Sequence, residues 1–211
     1  MNVTLLHVTP EYVVNRAVGK PYNSKPSLEL TKKVICIKKH LSCAEHIVFN
    51  FEIEGISRFI LQELARHRMA SMTVESTRYT LQKALTEGDL SKLFNTPDLS
   101  ELDIDIAAEI HASLSFAQSM FVDVLRKLKK IGVPNDYIKY LLPESWKTNL
   151  SLSINLRSLI NFLELRLSPQ AHFEIVELAR KMVKAIDNYH DSYASEILHL
   201  YFKQNGFIFR A

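Results

Sequence analysis

Between Ser145 and Arg166 the hydrophobic rhythm of this chain changes. In SWKTNLSLSINL, residues Trp146, Thr148, Leu150, Leu152 and Ile154 occupy every second position, the alternation of a strand with one covered face. From about Asn155 to Leu167 the apolar residues Leu156, Leu159, Ile160, Phe162 and Leu163 recur at helical spacing instead. The same two rhythms recur elsewhere. VTLLHV (3–8) and IVFNFEIE (47–54) read as strands, the latter with Phe49, Phe51 and Ile53 on one face, and TRYTL (77–81) reads as another. Helical spacing covers 27–41, 56–68 and roughly 100–131, the last closed by Gly132 and Pro134, and a helix beginning at Pro169 runs towards Gln204. Strands and helices mixed in this way predict an α/β (α+β) fold, a sheet packed with helices. With 211 residues and no linker or repeat, a single domain over 1–211 is expected.

Composition narrows the chemistry. Only five glycines are present, and neither G-x-G-x-x-G nor G-x-x-x-x-G-K occurs, so any phosphate group must be held without a glycine-rich loop. A net charge of +3 is too mild for nucleic-acid binding by bulk electrostatics, so anion preference must be local. The two cysteines, Cys36 and Cys43, form no C-x-x-C pair and suit a reducing compartment. With no secretion signal and no apolar run long enough to span a bilayer, a cytoplasmic location without membrane contact is expected.

Local charge gathers in LARHRMASMTVESTRYT. Arg66, His67 and Arg68 stand in a row, and Ser76, Thr77 and Arg78 follow after a short loop. Cations at a helix C-terminus are ordinarily a solvated, dipole-stabilised feature. Neighbours on a helix diverge by about 100°, however, so at a helix end they can serve different parts of one large anion. Hydroxyls beside a planar guanidinium form a donor set suited to a phosphate monoester. In NLRSLINFLELR, Arg157 and Asn161 share a face at i and i+4. Arg166 points between Leu159 and Phe162, into the apolar stripe. It cannot discharge, so it needs a carboxylate partner, a snorkelling path to water, or a ligand. HLSCAEHIVF holds His40, Ser42, Cys43, Glu45 and His46 without the paired spacing of a zinc site, so no metal is expected. Ser42 and Glu45 can equally cap a turn.

These stretches, in this order and spacing, resemble the flavin-dependent thymidylate synthases: Arg-His-Arg, seven residues, then Ser-x-Arg; a His-x-Ser-x-x-Glu-His run before a strand; and the Asn155–Arg166 helix. The resemblance spans about His40 to Glu174. It implies that family's fold, a mostly antiparallel central sheet packed with long helices. It implies an FAD enzyme converting dUMP to dTMP, with methylenetetrahydrofolate as carbon donor and NADPH as flavin reductant, assembled as a homotetramer. It implies a flavin site from Ser42, Glu45, Arg66, His67, Arg68, Val74, Asn155, Leu156, Arg157 and Asn161. For the nucleotide it implies Gln62 or Glu63, then Arg66, Val74, Glu75, Ser76, Thr77, Arg78 and Lys139. Arg166 would face the uracil ring, where a fixed cation stabilises negative charge on the N3/O2 edge and makes carbon 5 nucleophilic. The chain departs from the family at Glu63, where glutamine is usual, and at Lys139, where arginine is. The loop has Thr73 and Val74 in place of Asn and Glu, and Gln170 and His172 replace a His and a Gln. Two other readings use the same residues: a non-catalytic nucleic-acid-binding module with Tyr79 stacking on a base, and a nucleotide phosphohydrolase, for which no metal cluster is legible.

Overall fold

The computed structural model describes residues 1–86, 89, 92–190 and 193–206. They form four strands in one antiparallel sheet of order β1-β2-β4-β3, with helices between them. The strands are β1 (Asn2–Val8), β2 (Val48–Ser57), β3 (Ala70–Val74) and β4 (Lys147–Asn155). β1 pairs with β2 in a register running from Asn2 opposite Glu54 to Val8 opposite Phe49, with an irregularity between Leu5 and His7. Phe49, Phe51 and Ile53 of β2 are fully buried. Burial of each contributes about 1.5–3 kcal/mol, and a one-residue slip would send Asn50, Glu52 and Glu54 inward instead, so the register is firmly set.

The chain divides into two compact units, Met1–Glu54 with Glu63–Thr73 and Leu150–Ala211, and Gly55–Gln62 with Val74–Asn149. In the first, α1 (Glu11–Gly19) packs on α2 (Leu28–Lys32). A π-turn over Lys33–Ile37 continues α2, and α3 (Leu41–Ala44) follows. The expected 27–41 helix is therefore interrupted: the chain reverses at Lys39, whose φ is 55°. α8 (Leu156–Arg166) starts under the Asn155 side chain, which accepts from the Ser158 amide at 2.9 Å. α9 (Phe173–Asp187) covers β1. It begins four residues after Pro169 because His172 Nδ1 caps it, accepting from the Glu174 amide at 3.3 Å. The expected run from Pro169 to Gln204 is two helices, α9 and α10 (Tyr193–Gln204); its part at 191–192 lies outside the described residues.

α4 (Arg58–Ala65) starts later than expected, because Gly55, at φ 70°, lets β2 run on through Ser57. The Leu81 region corrects another expectation. TRYTL is no strand but the first half of α5 (Thr77–Thr86). Five residues fit both periods, and the longer window decides: Thr77, Leu81 and Leu85, four apart, are the buried positions. The strand lies just upstream, as β3. α6 (Ile104–Lys130) is a single helix of 27 residues capped by Asp103. Its Val122 and Leu125 pack with Leu81, Leu85, Phe94, Ile138 and Trp146, and α7 (Asn135–Ile138) follows. None of the described helices is long and apolar enough to cross a membrane.

Candidate functional site

Within the first unit a cleft of about 480 Å³ opens between α3, α8 and the bend after Ala65. Glu45, Arg68, Met69, Asn155, Arg157 and Asn161 line it. The helical spacing of Arg157 and Asn161 turns both towards it, away from the buried Leu156 and Leu159. Arg157 Nη1 donates to Glu45 Oε1 at 2.7 Å, and both side chains stay about half exposed. The capping oxygen of Asn155 is taken by Ser158. Leu156 is buried, and its amide donates to the Ile47 carbonyl at 2.8 Å. Ser42 is exposed on α3.

Arg66, His67 and Arg68 fall in the bend just past α4, where consecutive side chains diverge. The next residue, Met69, has φ 64° and is 73% exposed. A non-glycine residue in the left-handed region is uncommon and costs on the order of 1–2 kcal/mol. Such strain collects at binding sites, and here it sits on the cleft wall. Arg66 points out, 3.7 Å from Glu63 Oε1. His67 points in: it is 8% exposed and meets the Phe162 ring edge-on at 4.8 Å.

His67 and Glu63 together hold Arg166. The guanidinium donates from Nε to His67 Nε2 at 2.9 Å, from Nη2 to the Glu63 carbonyl at 3.3 Å, and from Nη1 to Glu63 Oε2 at 2.6 Å. Of the three ways to accommodate a cation on an apolar stripe, the carboxylate pair is realised, and Glu63 is the partner. Burial lowers the pKa of His67 below its usual 6.5, the Arg166 charge lowers it further, and Glu63 partly opposes them. Its ring is neutral and offers Nε2 as an acceptor.

The second unit gathers a different set. Gln62 donates to Glu144 at 3.2 Å. Arg78 grips Asp136 with Nε and Nη2, at 2.8 and 3.1 Å, and Lys139 Nζ stands 3.7 Å from the same carboxylate. Ser76 precedes α5, exposed, its carbonyl accepting from the Tyr79 and Thr80 amides. Thr77 beside it is 8% exposed and turned into the core. Glu75 accepts from Asn149 Nδ2 at 2.7 Å, and Val74 at the end of β3 is exposed. Asp136 and Asn149 escaped the sequence reading. The spacing of Asp136 and Lys139, three apart after Gly132 and Pro134, was the available signal for the first. Among the described residues no group of acidic, histidine and cysteine side chains could hold a metal ion. Burial pushes the Cys36 thiol up to about 11, so it is no nucleophile at neutral pH.

The fold is mixed, on a four-stranded antiparallel sheet, and the sequence carries neither the Rossmann nor the P-loop glycine motif. Residues 5–190 match the family described as thymidylate synthase complementing protein. The flavin-dependent thymidylate synthase of Wolinella succinogenes is 37% identical over 198 residues, covering 90% of this chain and 95% of the relative. That of Helicobacter pylori is 36% identical over 204 residues, covering 90% and 95%. A crystal structure of thymidylate synthase X from Helicobacter pylori, with FAD and dUMP, superposes with a TM-score of 0.75 at 32% identity, covering 94% of this chain and 99% of that one. The chain belongs to the flavin-dependent thymidylate synthase family.

Proposed function

We propose that this chain reductively methylates dUMP to dTMP, taking its carbon from methylenetetrahydrofolate and its reducing equivalents from NADPH. The observation that carries the residue-level reading is Arg166, a cation only 16% exposed, gripped by Glu63 and His67 on an apolar helix face. A guanidinium has five N–H donors; three are engaged, which leaves two for a ligand. Two parallel donors suit the N3/O2 edge of an ionised uracil. Charge placed there draws electron density onto carbon 5, and the low exposure of the Arg166 guanidinium strengthens the effect.

The unit-1 cleft suits FAD. Its donors, Arg68, Arg157 and Asn161, match a pyrophosphate and a polar ring edge, and the strained Met69 brings the backbone close. Arg66, His67, Asn155 and Leu156 remain in that reading, His67 and Leu156 through their backbone, since their side chains are turned inward; Val74 belongs to the second unit. Ser42 stands on α3 beside Leu41, which lines the cleft, and Glu45 steadies Arg157. When bound, the flavin supplies the hydride that completes the methyl group. The dUMP phosphate falls to Ser76 and Arg78 at the start of α5, where the free amides of a helix N-terminus add positive potential. Lys139 supports them, and Glu75 and Thr77 shape the loop. Glu63 belongs to Arg166, and Gln62 to Glu144.

A homotetramer fits the surface. The first half of α6 is largely exposed, with Ile104 at 81%, Ile106 at 54% and Phe116 at 68%, large apolar side chains of the kind that partners cover. Light scattering showing an active monomer would contradict it. The two free thiols, Cys36 and Cys43, suit the cytoplasm.

The test is direct. Purified protein should show flavin absorption and convert dUMP to dTMP only when methylenetetrahydrofolate and NADPH are both present. Colourless, inactive protein after FAD reconstitution would refute the proposal.

A further inference from the structure

Resting on that reading of Arg166, we propose that Glu63 is a positioning residue that sets the charge, and hence the working pH, of the pyrimidine site. A glutamine at this position would offer Arg166 the same oxygen at the same reach without a charge. The carboxylate does two things. It bonds Arg166 through Oε2 at 2.6 Å, with side chains 16% and 22% exposed, a depth at which water screens little. It also cancels much of the cation's field at the two N–H groups left for the ligand.

Uracil must lose or share its N3 proton to become nucleophilic at carbon 5. A lone guanidinium favours the anion strongly, and a guanidinium paired with a carboxylate favours it less. The other charged groups facing the pair reinforce the trend. His67, which accepts from Arg166 Nε, must stay neutral to hold it, and the Glu63 charge favours His67 protonation. Arg66, 75% exposed and 3.7 Å from Glu63, is screened by solvent. Removing the Glu63 charge therefore eases uracil ionisation and keeps His67 neutral to lower pH. Both effects shift the acid limb of the reaction downward.

The experiment is the pH profile of kcat for dTMP formation, with bound FAD quantified, in the parent, Glu63→Gln and Glu63→Asp. The acid limb of Glu63→Gln should move down by about one pH unit, the scale of removing a neighbouring charge. Its KM for dUMP should change less than about threefold, because the phosphate contacts lie elsewhere. Glu63→Asp keeps the charge on a shorter arm, so its limb should stay with the parent's while kcat falls. NADPH oxidation without dUMP should keep the parent's pH dependence in both variants. Coincident limbs for Glu63→Gln and an active parent overturn the inference alone. So does a Glu63→Asp limb displaced like that of Glu63→Gln. A flavin-loaded parent that forms no dTMP overturns the function, and the inference with it.

Discussion

Arg157 on α8 and Glu45, just past α3, join two elements 112 positions apart in the chain by one 2.7 Å hydrogen bond at the mouth of the cleft. Both are about half exposed, so the bond contributes little to stability, about 0–1 kcal/mol. Its role is to aim a guanidinium. Arg157→Ala should therefore leave the denaturation midpoint within about 1 kcal/mol of the parent while weakening FAD binding about tenfold or more, the loss of one charge-assisted contact. Flavin fluorescence titration checks it; equal affinity removes Arg157 from the flavin site.

Arg166→Lys should fold and retain flavin. Lysine keeps the charge but loses the planar fork that meets Glu63 and His67 and, in the proposed function, the pyrimidine. Formation of dTMP should drop about 10²–10³-fold, with NADPH oxidation reduced much less. Methylation within a few-fold of the parent would make Arg166 purely structural.

Ser76→Ala should raise the KM for dUMP about tenfold, the worth of one hydrogen bond to a charged group, and leave substantial turnover at saturation. Abolished turnover with flavin still bound would point to a catalytic serine.

His67 makes stability depend on pH. Its folded pKa lies below 6.5, so between that value and the folded one the unfolded chain holds the extra proton. Stability is full above about pH 6.5 and declines as pH falls towards the folded value. His67→Gln, which cannot titrate, should flatten that slope in urea titrations from pH 7.5 to 5. Parallel slopes would show that His67 is protonated when folded.

Thr148 is 2% exposed on β4, and its Oγ1 has no hydrogen-bond partner among the described residues. Thr148→Val keeps the shape and removes the unpaired hydroxyl, so it should stabilise by about 1 kcal/mol. A loss of stability in thermal unfolding would reveal a partner for that hydroxyl.

The legible parts of the sequence were those with sustained periodicity. β2 and β4, with their alternating buried residues, and α8, with its stripe, were readable to within a residue or two at most ends, as was the inward aim of Arg166. The TRYTL error had a local cause: aromatic and β-branched residues favour strands, and only burial of Leu85 beyond the window tips the balance to a helix. The break at Lys39 and the bend at Met69 rest on backbone angles that side-chain patterns do not encode. Glu63 was visible as a departure from its family, but its bond to Arg166 closes across 103 positions and needs tertiary structure to be seen. Asp136 had only its spacing to Lys139 as a local signal, and its bond to Arg78 closes across 58 positions.

The one-sided burial of α6 has a kinetic corollary. Among the described residues of its own unit the helix is anchored in its second half, by Val122 and Leu125 with Phe121 and Leu128 packed beside them, so opening should begin at the Asp103 cap and travel inward. Amide deuteration in dilute protein should be fast from Ile104 to about Phe116 and slow beyond Val122. Raising the protein concentration should slow the fast half selectively. The isotope uptake of one half of one helix would then serve as a gauge of how many protomers stand together.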